Sequence, residues 1–351
     1  MKYPAVLSFN DVLPQLDEFD TIIDARSESE FALDHIPGAI NCPVLNDEER
    51  ILVGTTYKQV GTFEAKKIGA PLVARNIAHA IDTLFADKPR DWKPLVYCWR
   101  GGNRSGSMAH ILAKVGWPVV QLDGGYKAFR GFVNGALENP PELQFRVICG
   151  TTGSGKSRLL ETLDAIGAQV LDLERLAAHR GSVLGHLPNE PQPSQKMFET
   201  RIWDKLRRVD PGKPVFVESE SKKVGKLRVP EAVMERMRAA PCIALTLSRP
   251  NRVRLLMEDY RHFCTDPSAL NRQLDHLVQL HGRARIDAWH GMANGGQLPE
   301  LVDELLVQHY DPAYLRSIDR NFVQYPRAEV VELGDISKED FLAAARRLHA
   351  A

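Results

Sequence analysis

The sequence lacks a long apolar run and a paired set of cysteines, and each absence excludes a class of protein. No stretch approaches the roughly eighteen apolar residues that span a bilayer, and the amino terminus has no basic region followed by an apolar run. We therefore predict a cytoplasmic protein with no membrane partner. The five cysteines are an odd number without paired spacing, which argues for a reducing compartment and against a disulfide framework. No CxxC pair or Cys/His cluster indicates structural zinc.

Net charge is also absent, but the charges are unevenly distributed. Lys and Arg together number 45, as do Asp and Glu, yet residues 201–261 contain 15 basic residues against 8 acidic ones. Such a stretch is compatible with a nucleic-acid groove and equally with solvated helix faces. Charge alone leaves both interpretations open.

Two α/β domains are predicted from apolar runs that alternate with helical patterns. Before a Pro-Pro break at 134–144, the runs TIIDA, PLVYC and PVVQL alternate with helical patterns at 72–85 and 106–115, as in a βαβ parallel sheet. After the break, FRVICG, AQVLDL, PVFVESE and CIALTLS alternate with helices again, whereas 266–314 is helical throughout and 338–349 indicates an amphipathic helix. We place the domains at 1–135 and 143–335, the second with a helical extension, and a C-terminal helix at 336–351.

Cys98 lies where the buried strand PLVY is predicted to end, and ligands of open α/β sheets bind at such carboxyl ends. Residues 103–115 can form a helix whose free amides face back into the loop and, with two arginines, stabilise a thiolate or persulfide. A lowered pKa makes a cysteine nucleophilic, so we favour a catalytic Cys98 over the alternative of a buried, inert thiol. The other residues of the predicted anion loop are Trp99, Arg100, Gly101, Gly102, Arg104 and Ser105.

Three segments resemble a rhodanese domain: D-A-R-S-E-S-E-F with H-I-P-G-A-I-N, the Cys98 loop C-W-R-G-G-N-R-S, and L-D-G-G-Y. The resemblance covers most of residues 5–132 and implies a fold in which a loop cysteine carries sulfur as a persulfide. Trp99 and the position of the second arginine depart from the ordinary loop, which argues against ordinary thiosulfate sulfurtransferase activity. The resemblance implies structural roles for Asp24, Arg26, His35 and Gly38.

A complete phosphate-binding loop, G-T-T-G-S-G-K-S, lies between the strand FRVIC and a helical pattern at 157–166. Its glycines let backbone amides approach phosphate oxygens, Lys156 neutralises them, and the Ser157 hydroxyl can reach a magnesium ion. The strand V-F-V-E-S-E offers Glu218 and Glu220 rather than the usual Asp, with Glu218 as the second candidate magnesium ligand. Hydrolysis of a nucleoside triphosphate therefore does not follow from the loop, and a diphosphate of another kind fits it as well. The predicted diphosphate-binding residues are Gly150, Thr151, Thr152, Gly153, Ser154, Gly155, Lys156 and Ser157.

Four arginines are candidate contacts to substrate or tRNA. Arg249, Arg252 and Arg254 follow a strand end beside the phosphate loop if the sheet is doubly wound, and Arg180 lies in a loop after the second strand of this domain. Arginines on a solvated helix surface are the alternative interpretation.

With the strings AHRGS, VESES, LHGRARIDAW and HYDPAYLRS, the chain closely resembles the tRNA 2-selenouridine synthase family nearly from end to end. The resemblance implies a transferase that acts on the wobble uridine in the anticodon region of tRNAs for lysine, glutamate and glutamine. It implies replacement of the sulfur of 2-thiouridine by selenium from selenophosphate, through an S-geranyl intermediate made from geranyl diphosphate. These two are cosubstrates, with Mg²⁺ as an assisting ion, and no tightly bound cofactor is expected.

The resemblance suggests one chemical task for each loop. Sulfide is a poor leaving group, so S-alkylation at the phosphate loop comes first, with Lys156 and the amides stabilising the departing diphosphate. Cys98 then acts either as a selenium carrier or as a thiolate that helps to expel the geranyl thiol. A dry slot for the geranyl chain is expected near the phosphate loop. The rival hypotheses are a P-loop phosphotransferase with a regulatory rhodanese module, and a non-catalytic RNA-binding or sulfur-sensing module.

Overall fold

The computed structural model describes residues 3–182, 185, 187, 190–261, 263 and 266–350. Its contacts divide the chain into two units. The first comprises residues 1–136 with 199–201, and the second comprises 137–198 with 202–351. Along the described residues, none of the helices combines the length and the apolar character needed to cross a membrane.

The first unit is built on a five-stranded parallel sheet of order β1-β5-β4-β2-β3. Its strands are β1 Ala5–Leu7, β2 Thr21–Asp24, β3 Ala39–Asn41, β4 Pro94–Tyr97 and β5 Val120–Leu122. Every residue of β4 is buried, because this apolar run lies between two other strands at the centre of the sheet. The apolar runs predicted β2, β4 and β5, whereas β1 and β3, in which no residue is fully buried, were not predicted.

Local capping residues explain where several helices of the first unit begin. Ser27 and Asn46 each form a capping box with the Glu three residues later, so that side chains satisfy backbone amides that have no partner within the helix. Thr62–Ala80 continues as a π-turn at Ile81–Phe85. The helices of this unit are Phe9–Val12, Glu28–Leu33, Asp47–Gln59, Thr62–Ala80, Asn103–Val115 and Gly125–Glu138, with a 3₁₀ segment at Leu13–Glu18.

A buried ion pair lies beside this sheet. The Arg26 guanidinium donates to both carboxylate oxygens of Asp24 and, at 2.6 Å, to the backbone carbonyl of Asp34. It also lies 4.0 Å from the centre of the Tyr126 ring. The charge is therefore surrounded by partners, as a buried charge requires, and the side chains of Asp24 and Arg26 hold the interior together.

The second unit has its own five-stranded parallel sheet, of order β12-β11-β6-β8-β7. Its strands are β6 Gln144–Cys149, β7 Gln169–Leu171, β8 Pro214–Glu218, β11 Cys242–Leu247 and β12 Glu329–Leu333, and a short antiparallel pair consists of β9 Lys223–Val224 and β10 Leu227–Arg228. The edge strand β12 was not predicted, because only two of its residues are buried and they do not form an apolar run. The predicted α/β class with parallel sheets is confirmed.

Helices cover this second sheet and then continue as a helical extension. Lys156–Ala165 and Lys338–Ala350 share one apolar core with the strands, which includes Leu160, Phe216 and Phe341. The extension has a separate core around Trp289 and Leu301. The remaining helices are Leu173–Leu176, Gln195–Arg207, Glu231–Ala239, Arg249–Asp259, Pro267–Leu274, Val278–His281, Arg283–Asn294, Leu298–Leu305 and Asp311–Asn321, with 3₁₀ turns at Asp275–Leu277 and Tyr325–Arg327 and a π-turn at Leu306–Tyr310.

Candidate functional site

The Cys98 loop directly follows β4 and packs against the turn that carries the L-D-G-G-Y motif. The backbone N–H of Tyr126 donates to the Cys98 carbonyl at 2.7 Å, and that of Lys127 donates to the Trp99 carbonyl at 3.0 Å. Gly125 has a φ of 56°, and a Cβ there would lie 2.2 Å from the Cys98 carbonyl oxygen. The second glycine of the motif is therefore required for the close approach that shapes this loop.

The Cys98 sulfur faces the first turn of the helix Asn103–Val115. The Ser105 hydroxyl donates a hydrogen bond to Cys98 Sγ at 3.2 Å. The Gln121 side-chain amide donates a hydrogen bond to the Gly101 carbonyl at 2.6 Å and so fixes the position of the Cys98 loop. Cys98 is only 3% exposed. The Cys98 sulfur therefore lies at the start of a helix and accepts a hydrogen bond from a hydroxyl group.

The two arginines of the loop are in different environments. Arg100 is exposed, whereas the Arg104 guanidinium makes two hydrogen bonds to the Glu30 carboxylate, at 2.6 and 3.2 Å. Burial raises the pKa of Glu30, but the Arg104 hydrogen bond and charge outweigh it and the net pKa is lowered. Arg104 was expected to stabilise the sulfur anion; the structure instead pairs it with an acidic residue that the loop sequence does not contain.

Trp99 is the aromatic residue of the loop, and it is 38% exposed. Its ring packs against that of Tyr126, with ring centroids 5.4 Å apart and planes 29° from parallel. The Tyr126 hydroxyl donates to Asp34 at 2.7 Å, which fixes the supporting ring. Trp99 is therefore a supported aromatic surface beside the sulfur.

The phosphate-binding loop joins β6 to the helix Lys156–Ala165. Gly153 and Gly155 have φ values of 76° and 92°, in the region that favours glycine, so the loop can turn before the helix begins. Lys156 Nζ donates to the Gly150 carbonyl at 2.9 Å, back across the loop. The loop thus brings one cation and the amides of a helix start to one point, as an anion site requires.

Ser157 and Glu218 were predicted as candidate magnesium ligands, and Glu174 lies between them. The Ser157 hydroxyl donates to Glu174 Oε2 at 2.9 Å, and the Glu174 backbone N–H donates to Glu218 Oε1 at 2.9 Å. Glu174 was not predicted. The sequence pattern that could have identified Glu174 is the acidic pair Asp172 and Glu174, which directly follows β7. The carboxyl ends of parallel strands meet at one edge of the sheet, so residues that follow these strands lie near one another.

The carboxyl groups near the phosphate loop raise each other's pKa. Burial, followed by the charges of Asp172 and Glu174, raises the pKa of Glu218 well above its usual value, and burial and Glu174 do the same for Glu220. Burial also raises the pKa of Asp172, to about 6. Across the described part of the chain, no group of three or more His, Cys, Asp and Glu side chains is arranged to hold a metal ion by itself.

Arg252 differs from its predicted role as a substrate contact. Its side chain is buried, and its guanidinium donates to the Thr152 carbonyl of the phosphate loop at 2.7 and 2.9 Å. The same guanidinium makes two hydrogen bonds to the Asp311 carboxylate, at 2.6 and 3.0 Å. This planar group fits two acceptors at once, so Arg252 supports the loop from behind.

The other three candidate arginines are more accessible. Arg249 forms an ion pair with Asp303, and Arg254 forms one with Asp335, each at 2.9 Å. Arg180 donates to the Asp259 carbonyl at 2.8 Å and lies 4.8 Å from the centre of the Tyr260 ring. Acidic residues from distant parts of the chain therefore offset some of the local basic excess.

Both loops lie in segments that match known protein families. Residues 8–131 match the rhodanese-like domain, and residues 143–275 match the tRNA 2-selenouridine synthase AAA domain. A tRNA 2-selenouridine synthase of Sulfurovum sp. (strain NBC37-1) is 37% identical over 260 residues, which cover 71% of this chain and 70% of that relative. The enzyme of the same name from Alcanivorax borkumensis is 32% identical over 347 residues, which cover 88% of this chain and 93% of the relative.

The chain belongs to the tRNA 2-selenouridine synthase family. The enzyme of that name from Aeromonas salmonicida is similar too, at 31% identity over 84% of this chain and 86% of the relative. These matches confirm the predicted order of a rhodanese-like domain followed by a P-loop domain.

A cleft of about 1080 Å³, partly open to solvent, adjoins the phosphate loop of this member of the synthase family. Lys156 and Ser157 line it on one side, and Asp172 and Glu174 on another. Arg180 and Tyr260 also contribute to its wall. The cleft therefore combines an anion-binding loop, acidic side chains and a cation supported by an aromatic ring.

We expect Arg252→Ala to destabilise the second unit and to weaken diphosphate binding. The substitution leaves the Thr152 carbonyl and the Asp311 carboxylate without their donor, which should lower the free energy of unfolding by about 3 kcal/mol. Arg254→Ala is a matched control, because it removes an exposed ion pair and should cost less than about 1 kcal/mol. Urea unfolding of the full chain measures the free energy of unfolding of both variants. Equal losses of stability in the two variants would contradict the supporting role of Arg252.

Proposed function

We propose that this protein modifies tRNA as a transferase in two stages. It first transfers the geranyl group of geranyl diphosphate to the sulfur of a wobble 2-thiouridine, and it then replaces the geranyl thiol by selenium from selenophosphate. The name and the domain order of its relatives support the conversion to 2-selenouridine. The observation that carries both stages is the presence in one chain of a phosphate-binding loop and a cysteine that accepts a hydrogen bond from Ser105.

In the first stage, the phosphate loop binds the diphosphate. The thiocarbonyl sulfur attacks carbon 1 of the geranyl group, the carbon–oxygen bond breaks, inorganic diphosphate leaves, and the N3 proton of the uridine ring passes to solvent. Negative charge grows on the departing oxygen, where Lys156 and the loop amides stabilise it more strongly than in the ground state.

The residues around Ser157 suit a magnesium ion that is held mainly by its phosphate ligand. Mg²⁺ prefers oxygen ligands and usually takes few from the protein, keeping waters and phosphate oxygens for the rest. The Ser157 hydroxyl and the Glu174 carboxylate offer such oxygens, and Glu218 Oε2 is a buried oxygen without a hydrogen-bond partner among the described residues. When bound, the ion would add positive charge at the diphosphate.

In the second stage, Cys98 attacks the ring carbon as a nucleophile. S-geranylation converts the sulfur into a neutral thiol leaving group, so the Cys98 thiolate can attack that carbon, and geranyl thiol leaves with a proton from solvent. The selenium of selenophosphate then attacks the same carbon and displaces the Cys98 thiolate, and water cleaves the selenium–phosphorus bond to release phosphate. A perselenide on Cys98 is not part of this route, because selenophosphate holds selenium at the selenide level and the transfer to a thiol would need an oxidant. The loop amides and the exposed Arg100 suit capture of the selenophosphate anion.

RNA recognition is proposed for the exposed aromatic and basic residues. Trp99 offers a surface on which an unstacked anticodon base can stack, as single-stranded RNA bases do on aromatic rings. Lys223, Lys226 and Arg228 are exposed on and beside the β9–β10 pair and suit contacts to backbone phosphates.

The test is mass spectrometry of nucleosides from 2-thiouridine tRNA incubated with the protein, magnesium and geranyl diphosphate, with and without selenophosphate. We expect a geranyl mass without selenophosphate and its conversion to a selenium mass when selenophosphate is added. Unchanged 2-thiouridine in both samples, with protein shown to be folded, would overturn the proposal, and turnover of ATP in the same samples would favour a phosphotransferase.

A further inference from the structure

An apolar groove adjoins the phosphate-loop cleft in the second unit. It encloses about 580 Å³, part of it open to solvent, between the helices Arg249–Asp259 and Leu298–Leu305. Leu256 and Met257 line it from the first helix, and Leu298, Val302 and Leu305 line it from the second. We call it the 256/302 groove.

The groove and the phosphate-loop cleft adjoin each other and share lining residues. Thr152 of the phosphate loop lines both spaces, and so do Ser182, Leu256 and Tyr260. The polar side chains of Thr152 and Ser182 lie at this shared boundary, and the walls beyond it are mainly aliphatic and aromatic, with the hydroxyl of Tyr310 as a further polar group. A ligand that lies across the boundary therefore has an anionic end near Lys156 and an apolar end in the groove.

We propose that the 256/302 groove binds the hydrocarbon chain of a prenyl diphosphate whose diphosphate lies in the phosphate loop. The assignment rests on the proposed function, to which it adds the residues that select an apolar donor. The walls beyond the boundary are mainly aliphatic and aromatic, which suits a hydrocarbon chain. A nucleotide is a poorer occupant, because the groove beyond the boundary offers few partners for the polar atoms of a base or ribose.

The side chains on the two walls of the groove differ in flexibility. Met257 is flexible and can adjust to a branched chain, whereas the buried Leu305 fixes the opposite wall. Burying apolar carbon favours binding by roughly fourfold per methylene group. We therefore expect the affinity to rise at least a hundredfold from inorganic diphosphate to geranyl diphosphate, with dimethylallyl diphosphate between them.

Val302→Trp tests the groove, because Val302 is half-buried and lines it. The indole should fill the space and weaken geranyl diphosphate binding at least tenfold, while the affinity for inorganic diphosphate stays within twofold of the unsubstituted protein. Val307→Trp is the matched control: Val307 is 39% exposed, lies five positions along the same helical segment and is not part of the lining. Its affinities for all three ligands should match those of the unsubstituted protein.

Isothermal titration of the full chain with inorganic, dimethylallyl and geranyl diphosphate, each with magnesium, provides the measurement. Unchanged geranyl diphosphate affinity in Val302→Trp would overturn the groove assignment alone, provided that the unsubstituted protein still transfers the geranyl group. Failure of the unsubstituted protein to prefer geranyl over inorganic diphosphate would overturn both the groove and the proposed function. If Val302→Trp also loses inorganic diphosphate, the smaller Val302→Phe repeats the test, and it must lose geranyl affinity selectively for the proposal to stand.

Discussion

Lys156→Ala is expected to slow geranyl transfer by a hundred- to a thousandfold. The ammonium lies at the start of the helix Lys156–Ala165, and the departing diphosphate gains charge as the carbon–oxygen bond breaks. Removing one preorganised donor from such a site typically costs two to three orders of magnitude in rate. Single-turnover formation of the S-geranyl nucleoside, followed by mass spectrometry, measures this loss directly.

Lys213→Ala is the control for this variant. Lys213 is an exposed lysine of the same unit, it forms an ion pair with Asp210, and it is not part of the phosphate-loop cleft. Its replacement should leave the geranyl transfer rate within twofold. If Lys156→Ala were folded and still transferred the geranyl group at a normal rate while selenation was lost, the diphosphate would have to bind elsewhere and the tasks of the two loops would be reversed.

The elements that were predictable from the sequence have signals that are local in the chain. The Cys98 loop and the phosphate loop each combine a buried strand, a few glycines and a helix start within about a dozen residues, so a short segment specifies the geometry. The three-residue strands β1 and β3 have no such signal. They are strands because β5 and β2 pair with them, which is a tertiary effect.

The features that were missed depend on partners far away in the sequence. Arg252 was predicted as a contact to substrate or tRNA, and only the position of Asp311, 59 residues later, makes it a buried support of the loop. Arg104 was assigned to the sulfur, and Glu30, 74 residues earlier, takes its guanidinium. The 256/302 groove forms where two helices of different parts of the chain leave space between them. A pattern of neighbouring residues cannot reveal contacts between residues that are so far apart in the sequence.

Cys98→Ala is expected to abolish selenation while geranylation continues. The S-geranyl nucleoside should accumulate in the presence of selenophosphate, because removal of a nucleophile or carrier typically lowers its step by at least a thousandfold and does not affect an earlier step at another loop. Mass spectrometry of the tRNA nucleosides reports both stages in one sample.

Cys42→Ala distinguishes the loss of this particular thiol from the loss of any buried thiol in the first unit. Cys42 packs in the same apolar core as Cys98, but burial raises its pKa to about 11, so it is protonated and unreactive near neutral pH. Selenation should survive its replacement, apart from a modest loss of stability from the space left in the core. Selenation in Cys98→Ala at the rate of Cys42→Ala would exclude the role proposed for Cys98.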